Sequence, residues 1–181
     1  MASASQVIEI HSDTKPSFHP LFNDEDAEII LSSNESMRFR LPRFTLKKAS
    51  DYFRNIFANK PVTEDQHHVI PFPTEPVEHV LFMISPLPTT SPSTFDKIEA
   101  IINVMQYLDT QGPLNAFRQH VLPVCYDKPV KLYELGVKLG WPELEQRGAE
   151  LTFPINLLLT EDKNVITQLS QLSGPVLLKL L

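Results

Sequence analysis

The chain has one cysteine, Cys125, in 181 residues. A disulfide framework is therefore excluded, and a lone thiol fits a reducing compartment, cytoplasmic or nuclear. Glycine is nearly as scarce, at five positions. So few, so scattered, supply neither G-x-G-x-x-G nor G-x-x-x-x-G-K-[ST], which excludes phosphate-cradling loops of those kinds. No stretch reaches the roughly 20 consecutive apolar residues of a membrane helix. The opening MASASQVIEIHSD has neither a basic start nor a continuous apolar run, which argues against a secretion signal. Excess positive charge is also missing. The formal net charge of −6 is unfavourable for a general nucleic-acid binder.

Proline, by contrast, occurs sixteen times, which predicts many short elements with defined starts. Residues 1–17 read as a flexible N-terminal arm or an added edge strand around VIEI. In MRFRL, Met37, Phe39 and Leu41 alternate with Arg38 and Arg40, the pattern of a half-buried strand. Ile29, Ile30 and Leu31 provide its partner and SSNES the turn, so residues 28–41 predict a β-hairpin. RLPRFTLKKASDYFRNIF follows. Leu46, Ala49, Phe53, Ile56 and Phe57 fall at helical spacing, and Ser50 sits where it can cap a second short helix. Phe39 and Phe44 are both expected in the core.

HHVIPF reads as a short strand ended by prolines, and TEPVEHVLFMIS as a helix with Thr74 as its cap. PLPTTSPST is a stiff loop. From residue 95 onward the pattern is helical throughout. The spacing places Gly112 at the C′ position of one helix with Pro113 opening the next, and repeats that punctuation at Gly140–Pro142 and Gly174–Pro175. The fold class expected is α+β: a small sheet of three or more strands capped by a helical cluster, with extra helices at the C-terminus.

Catalytic constellations are poorly supported. His67 and His68 are adjacent in a strand and point to opposite faces, so they cannot chelate one ion together. His79 has no histidine or carboxylate at i+3 or i+4, and Cys125 lies in a loop with no neighbouring histidine in sequence. A hydrolase or metal enzyme would need His79, His120 and Cys125, or the acidic run at 24–28, to converge in space. No catalytic residue, metal or cofactor is expected. The basic run Arg38, Arg40, Arg43, Lys47 and Lys48 spans a strand and a helix, which suits a solvated face with ion pairs better than a phosphate groove.

Taken together, FHPLFNDEDAEIILSSNESMRFRLPRFTLKKASDYFRNIF resembles the start of the BTB/POZ domain, particularly the short stand-alone BTB proteins of fungi. The resemblance lies in an acidic residue before an apolar strand (Glu28), an alternating strand, a basic residue, and the A-S-x-x-F-x-x-x-F junction at Ala49, Ser50, Phe53 and Phe57. It covers roughly residues 18–152. It implies a BTB/POZ-like domain at 18–122, a C-terminal helical extension packed on it at 123–181, and a function in protein–protein association. The expected assembly is a homodimer or hetero-oligomer. A cullin-type ubiquitin ligase or a transcriptional corepressor is the alternative partner that the resemblance implies. It further implies an interface around Phe18, Leu21 and Phe22 and a charged pocket at Glu28 and Arg43. The sequence departs from the family at Pro42, where a histidine is usual, and at Glu28, where the usual acid is aspartate.

Overall fold

Alternation in RFRL turns Phe39 and Leu41 to the buried side of strand β3 (Arg38–Leu41). This strand pairs antiparallel with β2 (Ile29–Ser32), Leu31 opposite Phe39, and forms the expected hairpin. The computed structural model describes residues 17–58, 66–85, 87–155 and 157–180. The expected N-terminal arm lies outside them except for Ser17. Ser36 closes the hairpin turn with φ of 68°, in the left-handed region.

Two parallel strands flank this hairpin. β1 (Phe18–Asn23) lies along β3 and β4 (Gln66–Val69) along β2, giving a mixed sheet in the order β1-β3-β2-β4. β1 does not show the usual period of two. His19 and Phe22 both point inward, three residues apart, because the register shifts within the strand. Pro20 is accommodated because an edge strand has one side free of ladder bonds.

Helices follow as an α+β arrangement requires. Among the described residues they are α1 (Arg43–Ala49), α2 (Asp51–Ala58), α3 (Thr74–Ile84), α4 (Phe95–Tyr107), α5 (Gln111–Val121), α6 (Pro129–Leu139), α7 (Pro142–Thr152), α8 (Lys163–Gln171) and α9 (Gly174–Leu180), with a 3₁₀ turn at Leu122–Val124. None is long and apolar enough to cross a membrane. Ser50 separates α1 from α2 and is fully buried. Its Oγ accepts the Phe53 N–H at 3.2 Å and donates to the Leu108 carbonyl. One hydroxyl thus starts α2 and docks it on the end of α4.

Three local expectations are corrected. Phe44 is exposed rather than core: it lies two residues before the buried Leu46, about 200° round the helix from it. Gly112 does not terminate α4. Asp109 takes the left-handed conformation there, at φ of 48°, so α5 begins at Gln111 with Gly112 and Pro113 in its first turn. Pro113 is tolerated because N–H groups in a first turn have no helical acceptor. Thr74 is not the cap of α3 but its first residue, and Pro73 holds the cap position.

One hydrophobic core runs from Phe22 in β1 to Leu144 in α7, through Leu31, Phe39, Phe53, Val80, Ile102, Phe117 and Leu132. The expected division at 122 therefore does not interrupt the core, since Leu132, Leu135 and Trp141 belong to it. A second, small cluster attaches α8 and α9 to α6 through Val130, Val165 and Leu172.

Helices α6 and α7 approach closely because each has a glycine where the other's backbone passes. A Cβ on Gly136 would overlap the backbone of Leu144 and Glu145, and one on Gly148 that of Tyr133. Gly140, between them, closes α6 in the left-handed conformation at φ of 64°. We expect Gly136→Ala and Gly148→Ala each to destabilise the fold by about 1–3 kcal/mol through overpacking. Gly112→Ala, facing open space, should be neutral or slightly stabilising. Thermal unfolding of the three variants checks the contrast.

Candidate interaction surface

Proline determines how the helices nearest the sheet begin. Pro42 occupies the N-cap of α1 with φ of −62°, and Pro73 that of α3; neither side chain can accept a hydrogen bond. Both helices are instead capped by glutamates from the hairpin region. Glu28 Oε2 accepts the Arg43 N–H at 3.0 Å, and Glu35 Oε2 accepts the Thr74 N–H at 2.8 Å. These bonds favour the ionised forms. The Arg43 N–H, foremost, holds the Glu28 carboxyl below its ordinary value of 4.5, and the Thr74 N–H does the same for Glu35.

Glu28 and Arg43, the expected charged pocket, are therefore neighbours, joined by carboxylate and main-chain amide. The Arg43 guanidinium donates to the Phe57 carbonyl at 2.6 Å and lies 5.1 Å from the centre of the Phe57 ring. The other arginines of the basic run are also placed on aromatics. Arg40 and Arg38 lie 4.3 and 5.9 Å from the centre of the Phe18 ring, which is half-buried beneath them.

The three residues expected at an interface have three different positions. Phe22 packs inside the chain, with its ring 5.9 Å from that of Phe39 and 5.2 Å from that of Phe82. His19 completes this cluster, and its Nε2 lies 3.1 Å from Glu78 Oε1. Phe18 is the half-buried platform for Arg38 and Arg40. Leu21 is 64% exposed on the edge strand. A further apolar group, missed by the sequence reading, is Phe44, 74% exposed on α1. It lines a groove of about 500 Å³ together with Lys48, Met83, Ile84 and Pro113. The signal for it was the helical phase: with Leu46 inward, Phe44 must point out.

Of the residues weighed for catalysis, two histidines come together and the cysteine is withdrawn from solvent. His79 and His120 flank the Phe117 ring, at 5.7 and 5.9 Å between ring centres. Cys125 is buried, and burial pushes its thiol up to about 12, far from the thiolate a nucleophile needs. His67 and His68 do diverge. His67 Nε2 lies 3.0 Å from Ser32 Oγ, while the His68 ring stands edge-on to Phe57 at 5.5 Å. Among the described residues no three histidine, cysteine or carboxylate side chains are grouped to hold a metal ion. No protein-family model matches this chain, and a search of curated proteins gives no match.

Two outcomes are expected. Cys125 in the native protein should react with a thiol reagent no faster than the protein opens, so rapid labelling without denaturant would contradict its burial. Glu28 and Glu35 have lowered pKa values when folded, so their contribution is present above pH 4.5 and lost as pH falls through the folded values. The melting temperature of the Glu28→Gln/Glu35→Gln variant should therefore decline less steeply below pH 4.5 than that of the wild type. An identical slope would refute the capping role.

Proposed function

We propose that this chain is a BTB/POZ-type association module that forms homodimers and has no catalytic role of its own. The order of its elements supports this reading. A hairpin leads into two short helices joined at a buried serine, then a further strand, then a helical cluster, as the resemblance of residues 18–152 implies. The observation that carries it is the pair of large apolar side chains, Leu21 on the edge strand and Phe44 on α1, turned to solvent beside well-packed neighbours. Isolated exposed leucines are ordinary. A phenylalanine three-quarters exposed and lining a groove with Met83, Ile84 and Pro113 is the kind of surface that protein partners cover.

In this reading Glu28 and Arg43 position α1 rather than contact the partner, and Phe18 with Arg38 and Arg40 forms a polar rim to the exposed Leu21. Light scattering at micromolar concentration should give twice the monomer mass. A Leu21→Glu/Phe44→Glu variant should give the monomer mass with unchanged helical circular dichroism, because neither residue is part of the core. A wild-type monomer would end the proposal.

A further inference from the structure

The connection from α3 to α4 passes over the helices at Thr90–Ser93 and leaves a cavity of about 210 Å³ beneath it. Ser91 lines this cavity, is exposed, and precedes the buried Pro92. A residue before proline is held extended, and with no helix or strand ladder in this segment only the packing of Pro92 is given up on entering another protein's active site. Ser91 Oγ lies 3.2 Å from His120 Nδ1 on α5. His79 from α3 and Lys97 from α4 line the same cavity. One basic side chain thus touches this accessible hydroxyl, and two more, from two other helices, line the cavity beside it.

In the unmodified chain Lys97 is already paired, with Glu75, which lines the same cavity. Lys97 Nζ bonds Glu75 Oε1 at 2.6 Å, and Glu78, the other nearby carboxylate, is 3.1 Å from His19. Burial, and then the proximity of His120, disfavours the charged form of His79, with Glu75 and Glu78 acting in the opposite direction. An anion delivered at Ser91 Oγ would meet His120 at once and would have His79 and Lys97 within the same cavity.

We propose that Ser91 is a phosphorylation site, modified by a proline-directed protein kinase, and that its phosphate is held by His120, His79 and Lys97. In the transfer, Ser91 Oγ attacks the γ-phosphorus of ATP. The bond from that phosphorus to the β,γ-bridging oxygen breaks, ADP leaves with the electron pair, and the hydroxyl proton passes to the kinase's catalytic carboxylate. The phosphate brings a charge of about −1.5 to −2 and three strong acceptors. It draws Lys97 from Glu75, converts the facing imidazoles into favourable partners, and fastens the connection across α3, α4 and α5. Ser85, the other serine of this connection followed by a proline, is half-buried as the C-cap residue of α3 and makes a poorer acceptor.

The full chain is incubated with ATP and a proline-directed kinase, and the phosphate is located by mass spectrometry. The phosphate is expected on Ser91 and absent from Ser91→Ala. The phosphorylated protein should melt higher by about 2–4 °C, and the His79 imidazole should titrate at higher pH by NMR than in the unmodified protein. His120→Gln should still accept the phosphate but lose most of the thermal gain. No phosphate at Ser91, under conditions that modify a Ser-Pro peptide fully, overturns the proposal. So does a phosphate at Ser91 that leaves melting and imidazole titration unchanged.

Discussion

One buried hydroxyl ties the junction of α1 and α2 to the end of α4. Ser50 breaks one helix, starts the next, and fixes that junction against the last carbonyl of α4. The neighbouring Asp51 N–H adds a bond to the Asp109 carbonyl at 3.1 Å, so two helix breaks are docked on one another. The aromatic rings of α2, Phe53 and Phe57, are thereby aimed under the sheet, where they stack on each other at 5.6 Å and receive His68 from β4. A buried polar group without partners would be costly. Here the hydroxyl both donates and accepts, which makes the position specific to a small donor-and-acceptor side chain.

The hairpin has a second role beyond its ladder. A glutamate before it and another in its turn reach helices whose own cap positions are proline, so the starts of α1 and α3 are tied to the hairpin. Pro42 stands at the cap position of α1, and its consequence is visible in Glu28. A residue without a capping side chain leaves the Arg43 amide for a neighbouring carboxylate to bond. The fixed φ of proline at that point also directs the chain out of β3 and straight into α1.

Much of this was legible in the sequence. The hairpin, the Ala-Ser junction, the stripe of α4 and the Gly140 terminus follow from periodicity and punctuation that act locally. What escaped was decided at a distance or by irregularity. β1 was hidden by Pro20 and by a register shift that places His19 and Phe22 inward at a spacing of three. Glu35 gave no local sign of capping α3, because its partner lies far along the chain. Gly112 misled because Asp109, one of the few residue types that tolerate left-handed backbone, had already closed the helix. At the candidate surface, the sequence did not show that Glu28 would accept from the Arg43 amide, that the guanidinium would reach the Phe57 carbonyl, or that Phe22 would turn into the core, since tertiary packing decides all three.

The order β1-β3-β2-β4 bears on how the molecule is made. Only its central pair is a hairpin, and each outer strand is parallel to its neighbour and cannot be reached by a tight turn. The hairpin with α1 and α2 is local and closes at little entropic cost. β4 must return after two helices, and β1, which precedes the hairpin, must pass β2 to pair with β3. Among the described residues the strand that exposes Leu21 is held by one neighbour, β3, and belongs to the part of the sheet whose pairing is non-local. Exchange of its amide hydrogens should be faster than that of the central strands, so the edge best placed to meet another molecule is also the readiest to open.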